Sequence, residues 1–237
     1  MQPTGTLFLL PSLLGDEPSN RVLPDYNHMI MHQLNNFIVE DLRTARRFLR
    51  KAGYTQDFEL VNFGILNEHT SEEEYSKLLA PIMEGKDTGL LSDAGVPCLA
   101  DPGADVVRIA QQKNIRVVPL TGPSSILLAL MASGFNGQHF LFHGYLPKQQ
   151  QEREHFLKAI EQNAYIKDQT QIFIETPYRN LQLIESILSK CREETLLCIA
   201  CNLSLESESV LTKTVKQWKK TPLPYQKKPT VFLLFHP

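Results

Sequence analysis

The chain has 237 residues, 42% of them hydrophobic and 21% charged, with a net charge of −2. That length buries a real core in one large domain or two modest ones, and the ordinary balance excludes a disordered or collagen-like chain. The near-neutral charge gives no global pull toward nucleic acid, so such a partner must meet a local basic patch.

No window approaches the roughly 20 apolar residues that span a membrane. The apolar run at 7–10 lacks a basic flank and meets Pro11, so it does not read as a secretory signal. The four cysteines, Cys98, Cys191, Cys198 and Cys201, lack the spacing of a disulfide framework and point to a reducing cytoplasm.

In chain order, residues 6–10 read as a strand broken by Pro11-Ser12, and 16–27, rich in Pro, Asp and Asn, as a loop. A helix is expected over 26–36, a short strand over 36–39, and a helix over 41–52 that Gly53 ends. Residues 58–63 form the next strand candidate. Ser71 and the acids after it open a helix running to about 84. A strand at 88–91, a helix at 103–113 and a strand at 117–119 complete an alternation that argues for a parallel sheet. Beyond Pro119 come an apolar helix at 123–132, strands at 139–144 and 171–175 around a polar helix at 150–163, a helix at 178–190, and strands at 195–201 and 230–235. The expected fold is α/β in two lobes, 1–119 and 120–237. The first has a mostly parallel sheet and the second a mixed one.

Glycine-x-glycine, P-loop and zinc-protease signatures are missing from the sequence. Cys198-Ile-Ala-Cys201 is formally a C-x-x-C, but in a strand residues three apart face opposite ways, and no metal site is assigned. His28 and His32 could share a helix face, with no carboxylate partner evident.

The Gly/Pro corners carry more. Residues 91–103 end an apolar strand in Asp93-Ala94-Gly95-Val96 and turn again at Asp101-Pro102-Gly103; residues 117–125 end in Gly122-Pro123-Ser124-Ser125. Such loops lie at the carboxyl ends of strands, where α/β sheets bind small ligands. Asp93 either caps its own turn or faces ligand hydroxyls or an amine, while Ala94-Gly95 lets backbone come close. Free N–H groups around Ser124 and Ser125 suit a carboxylate or a polar ligand edge. Arg43, Arg46, Arg47 and Arg50 recur at helical spacing with Lys51 beside them, a phosphate-facing stripe or a solvated face. The lysines around Trp218 read as solvated surface.

These loops, with Val39-Glu40-Asp41-Leu42-Arg43, Leu66-Asn67-Glu68-His69, Phe142 to Pro147 and Ile174 to Arg179, are collinear with the tetrapyrrole methylase superfamily. The chain resembles most the branch that methylates small-subunit ribosomal RNA at a cytidine 2′-hydroxyl. The resemblance implies a cytoplasmic homodimer with S-adenosylmethionine in a cleft between two lobes. Cofactor contacts would come from Pro11, Asp93, Ala94, Gly95, Val96, Ser124, Ser125, Glu175, Asn202 and Leu203. Glu40, Arg43, Glu68 and His69 are the catalytic candidates, and ribosomal RNA would meet Arg43, Arg46, Arg47 and Arg50.

Departures from the family pattern bear on the acceptor. Pro11-Ser-Leu-Leu-Gly-Asp16 replaces Pro-Thr-Pro-Ile-Gly-Asn, Leu42 stands for a threonine, and Ala200-Cys-Asn-Leu-Ser-Leu205 replaces Ala-Arg-Glu-Leu-Thr-Lys. A small tetrapyrrole-like acceptor, or a catalytically silent relative that binds the cofactor, are the alternatives these changes leave open.

Overall fold

The structure, a computed structural model, describes residues 4–66 and 70–236. The chain divides into two compact units, Met1–Ser124 and Ser125–Pro237; the sequence reading set the division at 119/120.

The first unit runs β1 (Thr6–Leu10), α1 (Ser19–Val22), α2 (Asp25–Gln33), β2 (Asn36–Val39), α3 (Leu42–Lys51), β3 (Asn62–Ile65), α4 (Glu72–Leu78), α5 (Ala80–Met83), β4 (Thr88–Leu91), α6 (Gly103–Gln112) and β5 (Arg116–Pro119). Its five strands lie in the order β3-β2-β4-β1-β5, every neighbour parallel. Alternation of side chains along each strand divides the core into two layers. Leu10, Phe37, Val39 and Leu91 face Phe48 and Leu49 of α3, whereas Leu7, Ile38 and Leu90 face Leu79, Ile82 and Val106. Both faces are covered, as an all-parallel sheet requires.

The helices of this unit start where their sequences dictate. Asp41 caps α3 by accepting the Thr44 N–H at 2.7 Å. Ser71 and Glu74 form a reciprocal capping box at the start of α4. The strand expected at 58–63 falls instead at Asn62–Ile65. Residues around Asp57 turn, with the Leu60 N–H bonded to the Asp57 carbonyl, and Phe58 joins an aromatic cluster with Tyr54 and Phe63. The loop expected over 16–27 contains the single turn α1.

The second unit runs α7 (Ser125–Ser133), β6 (Phe140–Tyr145), α8 (Gln150–Lys167), β7 (Thr170–Ile174), α9 (Asn180–Lys190), β8 (Leu196–Cys201), β9 (Ser209–Thr214), α10 (Val215–Trp218) and β10 (Thr230–Phe235). Its sheet has the order β6-β7-β10-β8-β9, with β6 and β7 parallel and every other pair antiparallel. The α/β class, parallel in one unit and mixed in the other, is therefore as expected. Leu157, Ile160, Leu183, Ile187 and Trp218 form its main core with Phe173, Ile199 and Phe232. Full burial of each such side chain contributes about 1.5–3 kcal/mol. Trp218 also donates its indole N–H to the Leu197 carbonyl at 2.8 Å.

Candidate functional site

The carboxyl ends of β1, β4 and β5 come together in the first unit. The Ser12 N–H donates to the Gly95 carbonyl at 2.9 Å and the Leu120 N–H to the Leu9 carbonyl at 3.0 Å, tying the three exits together. Gly122 lies so close beneath Pro11 that a Cβ there would meet Pro11 Cβ at 2.2 Å. Gly95 has φ +77, and a Cβ there would meet the Pro123 carbonyl oxygen at 2.9 Å. Only glycine satisfies both the left-handed backbone and that approach. Asp93 and Ala94 are exposed at the head of this turn, Gly95 is buried and Val96 half-buried.

The second corner, 96–103, is held by one carboxylate. Asp101 accepts the Cys98 N–H at 2.9 Å and the Gly103 N–H at 2.7 Å. Between them Cys98 and Ala100 adopt φ +68 and +67. Each left-handed non-glycine residue costs roughly 1–3 kcal/mol, so the loop keeps this shape because its surroundings enforce it.

Glu40, at the end of β2, does not cap α3; its neighbour Asp41 does. Glu40 instead accepts the Asp93 N–H at 3.1 Å and the Ser92 hydroxyl at 3.4 Å. Burial raises its carboxyl above the ordinary glutamate value, assisted by the nearby charges of Asp101 and Asp93 and opposed by those hydrogen bonds. Asp93 is likewise raised, chiefly by desolvation and then by the charge of Asp41. Glu68 and His69 lie outside the described residues.

The basic stripe of α3 separates into two kinds of residue. Arg46 lies 5.4 Å from the Phe58 and Phe63 ring centres. Arg50 lies 4.0 Å from Phe58 and donates to the Tyr54 carbonyl at 2.6 Å. Both are used in packing. Arg43 and Arg47 are exposed. Beside Arg47, the exits of β1 and β4 and the outer face of α3 enclose a cavity of about 500 Å³. Ser12 lines it, and the buried Ser12 Oγ has no hydrogen-bond partner. The sequence reading names neither Ser12, Thr44 nor Asp16 as site residues, although Gly15-Asp16 after a strand is a turn signal.

In the second unit Glu175 is buried at the end of β7. It accepts the Thr176 N–H at 2.6 Å and the Arg179 Nε–H at 3.0 Å, and pairs with the Arg179 terminal nitrogen. Asn202 follows β8 with φ +51, its N–H on the Pro229 carbonyl at 3.0 Å, and Leu203 is buried. Ser124 is buried at the end of the first unit, and Ser125 opens α7.

The remaining motifs are occupied by structure. Cys198 and Cys201 are buried in β8, and burial lifts the Cys198 thiol to about 11. His28 Nδ1 lies 3.0 Å from the Ala52 carbonyl, while His32 stacks on Tyr54. Among the described residues, no three His, Cys, Asp or Glu side chains are grouped as a metal-binding set.

A parallel sheet with tight, glycine-dependent loops at its strand exits has the architecture in which α/β proteins commonly hold small ligands. Comparison with known proteins narrows the class. Residues 30–219 match the family model described as tetrapyrrole (corrin/porphyrin) methylases, and the chain belongs to that family of methyl-transferring enzymes. Among its relatives is the ribosomal RNA small subunit methyltransferase I of Escherichia coli O157:H7, 30% identical over 87% of this chain and 68% of that protein. The protein of the same name from Pseudomonas aeruginosa is 30% identical over 87% of this chain and 69% of its own length. The fold is shared with the methyltransferase CobJ, with a TM-score of 0.64 at 13% identity over 98% of this chain and 95% of that one. It is also shared with uroporphyrin-III C-methyl transferase from Thermus thermophilus complexed with S-adenyl homocysteine, with a TM-score of 0.59 at 14% identity over 98% of each chain.

Proposed function

We propose that the protein is an S-adenosylmethionine-dependent methyltransferase acting on a ribose 2′-hydroxyl of small-subunit ribosomal RNA, in the cytoplasm and as a homodimer. The observation that carries this reading is the 30% identity, over 87% of the chain, to a protein named ribosomal RNA small subunit methyltransferase I. The family resemblance supports the dimer and the compartment.

The residues present suit the cofactor. A backbone-lined corner at Asp93-Ala94-Gly95-Val96, held open by a glycine that no other residue could replace, offers carbonyls and N–H groups to a ligand rich in both charges. Pro11 and Ser124 flank it in the first unit. Ser125, Glu175, Asn202 and Leu203 are cofactor contacts on the family resemblance alone. The cofactor supplies an electrophilic methyl group, and the protein's task is to align a hydroxyl against it and remove a proton.

Glu40 is the best-placed base among the described residues. Its carboxyl accepts the Asp93 N–H and is raised by burial, so it holds a proton more tightly than a free glutamate. Glu68 and His69 keep their candidacy on the family motif alone. Arg43 and Arg47, free of the packing that occupies Arg46 and Arg50, would meet acceptor phosphates. The test is transfer of labelled methyl from S-adenosylmethionine to small-subunit particles from cells lacking this activity. Label on a ribose 2′-oxygen is expected, and no transfer at saturating cofactor would overturn the reading.

A further inference from the structure

The cavity beside α3 is more than an opening toward the strand exits. Its walls differ in chemistry: Leu13 and Phe48 give an apolar side, Ser12 and Thr44 supply hydroxyls, and Arg47 and Lys51 supply two cations. The Ser12 Oγ is shut off from solvent without a partner, and it becomes available to a ligand's polar atom only if the side chain turns toward the cavity that Ser12 lines. About 500 Å³ accommodates one nucleotide unit.

Across the mouth, Lys51 Nζ lies 2.5 Å from Asp16 Oδ1. The Lys51 side chain is 30% exposed, whereas that of Asp16 is wholly in water. The ammonium holds the Asp16 carboxyl below the usual aspartate value, with Arg47 adding to the effect. Such a pair is weak at the surface, and Asp16 loses no burial by swinging away. A phosphate offers Lys51 and Arg47 more charge and more acceptor oxygens than a carboxylate. Asp93 lines the same cavity, so the two cations must outweigh its carboxylate. At position 16 the family pattern has asparagine, which could not form this pair.

Resting on the RNA-methylation reading, we propose that this cavity seats one phosphate-bearing nucleotide of the acceptor, and that the Lys51–Asp16 pair is its latch. The incoming phosphate displaces Asp16 and engages Lys51 and Arg47. The latch makes Asp16 a competitor for the two cations: a phosphate must displace it to bind, whereas an acceptor without a phosphate leaves it in place.

The experiment compares binding of cytidine 5′-monophosphate and cytidine to the full chain by NMR titration at millimolar ligand, with S-adenosylhomocysteine present. The parent should prefer the nucleotide. Asp16→Asn should tighten nucleotide binding about two- to fivefold and leave cytidine unchanged. Lys51→Gln should weaken nucleotide binding by a similar factor and lower its salt dependence by about one charge. Lys51→Arg should restore the preference, which separates charge from packing. Equal binding of nucleotide and nucleoside by the parent, no detectable binding to either the parent or Asp16→Asn, or an unchanged preference in both charge variants would overturn the latch. None of these readouts uses methyl transfer. A protein that shows the pattern but methylates no ribosomal RNA would therefore sink the RNA reading and not this one.

Discussion

The role proposed for Glu40 as the base can be tested at a single side chain. A base must be ionised, and this carboxyl is raised, so methyl transfer should fall as pH drops through a value above the ordinary glutamate range. Glu40→Gln should lower kcat at least roughly 100-fold and abolish that acidic limb. The same shift has a stability sign. The folded state binds the proton more tightly than the unfolded one, so stability declines as pH rises between the usual glutamate value and the raised one. Denaturation at several pH values should show that slope in the parent and its loss in the variant. Gly122 makes a purely steric case. Its α-carbon passes so near Pro11 that Gly122→Ala should cost about 1–3 kcal/mol of stability; urea melts that leave the variant unchanged would show that Pro11 can retreat. At this scale the sequence identifies the glycines and Asp93 as unusual. The link from Glu40 to Asp93, 53 positions apart, depends on β2 lying beside β4, and no local pattern carries that.

Among the elements, the 96–103 loop is the one most dependent on a single residue. Asp101→Ala frees the Cys98 and Gly103 N–H groups and lets two left-handed residues relax. Calorimetry should then show S-adenosylhomocysteine bound about tenfold more weakly; unchanged affinity would mean the loop does not hold the cofactor. Some elements were plain in advance, and β10, a continuous apolar run bounded by Pro229, has the expected limits. Others were not. β9 escapes the sequence reading because Ser209–Thr214 pairs with β8 along one edge and is only half-buried. A strand with one neighbour needs little hydrophobic patterning. The misplaced strand at 58–63 has the opposite cause: Phe58 is apolar for the sake of the arginines and rings around it.

For the whole molecule, the net charge of −2 leaves RNA affinity to a few exposed cations. Arg43→Ala and Arg47→Ala should each lower the salt dependence of RNA binding by about one charge, whereas Arg46→Ala, which removes packing against Phe58 and Phe63, should act on stability first. Filter binding across a salt series, alongside thermal melts, separates the two. The α/β class was legible because strand and helix signals alternate along most of the chain, and the two successive strands expected at 195–201 and 230–235 mark where the second sheet departs from that pattern. Arg46 and Arg50 could not be told from Arg43 and Arg47 in advance, because all four share a helical spacing and only the aromatic cluster distinguishes them.

The strand order of the first unit also governs how the chain emerges during synthesis. β1 pairs with β4 and β5, so this strand has no partner in the sheet until residues 88–91 have appeared, and its other side stays open until 116–119. A nascent chain that has passed β1 but not yet β4 therefore carries an uncovered apolar strand, a state prone to association. Slow translation before residue 120 should lower the yield of native protein more than the same delay placed later.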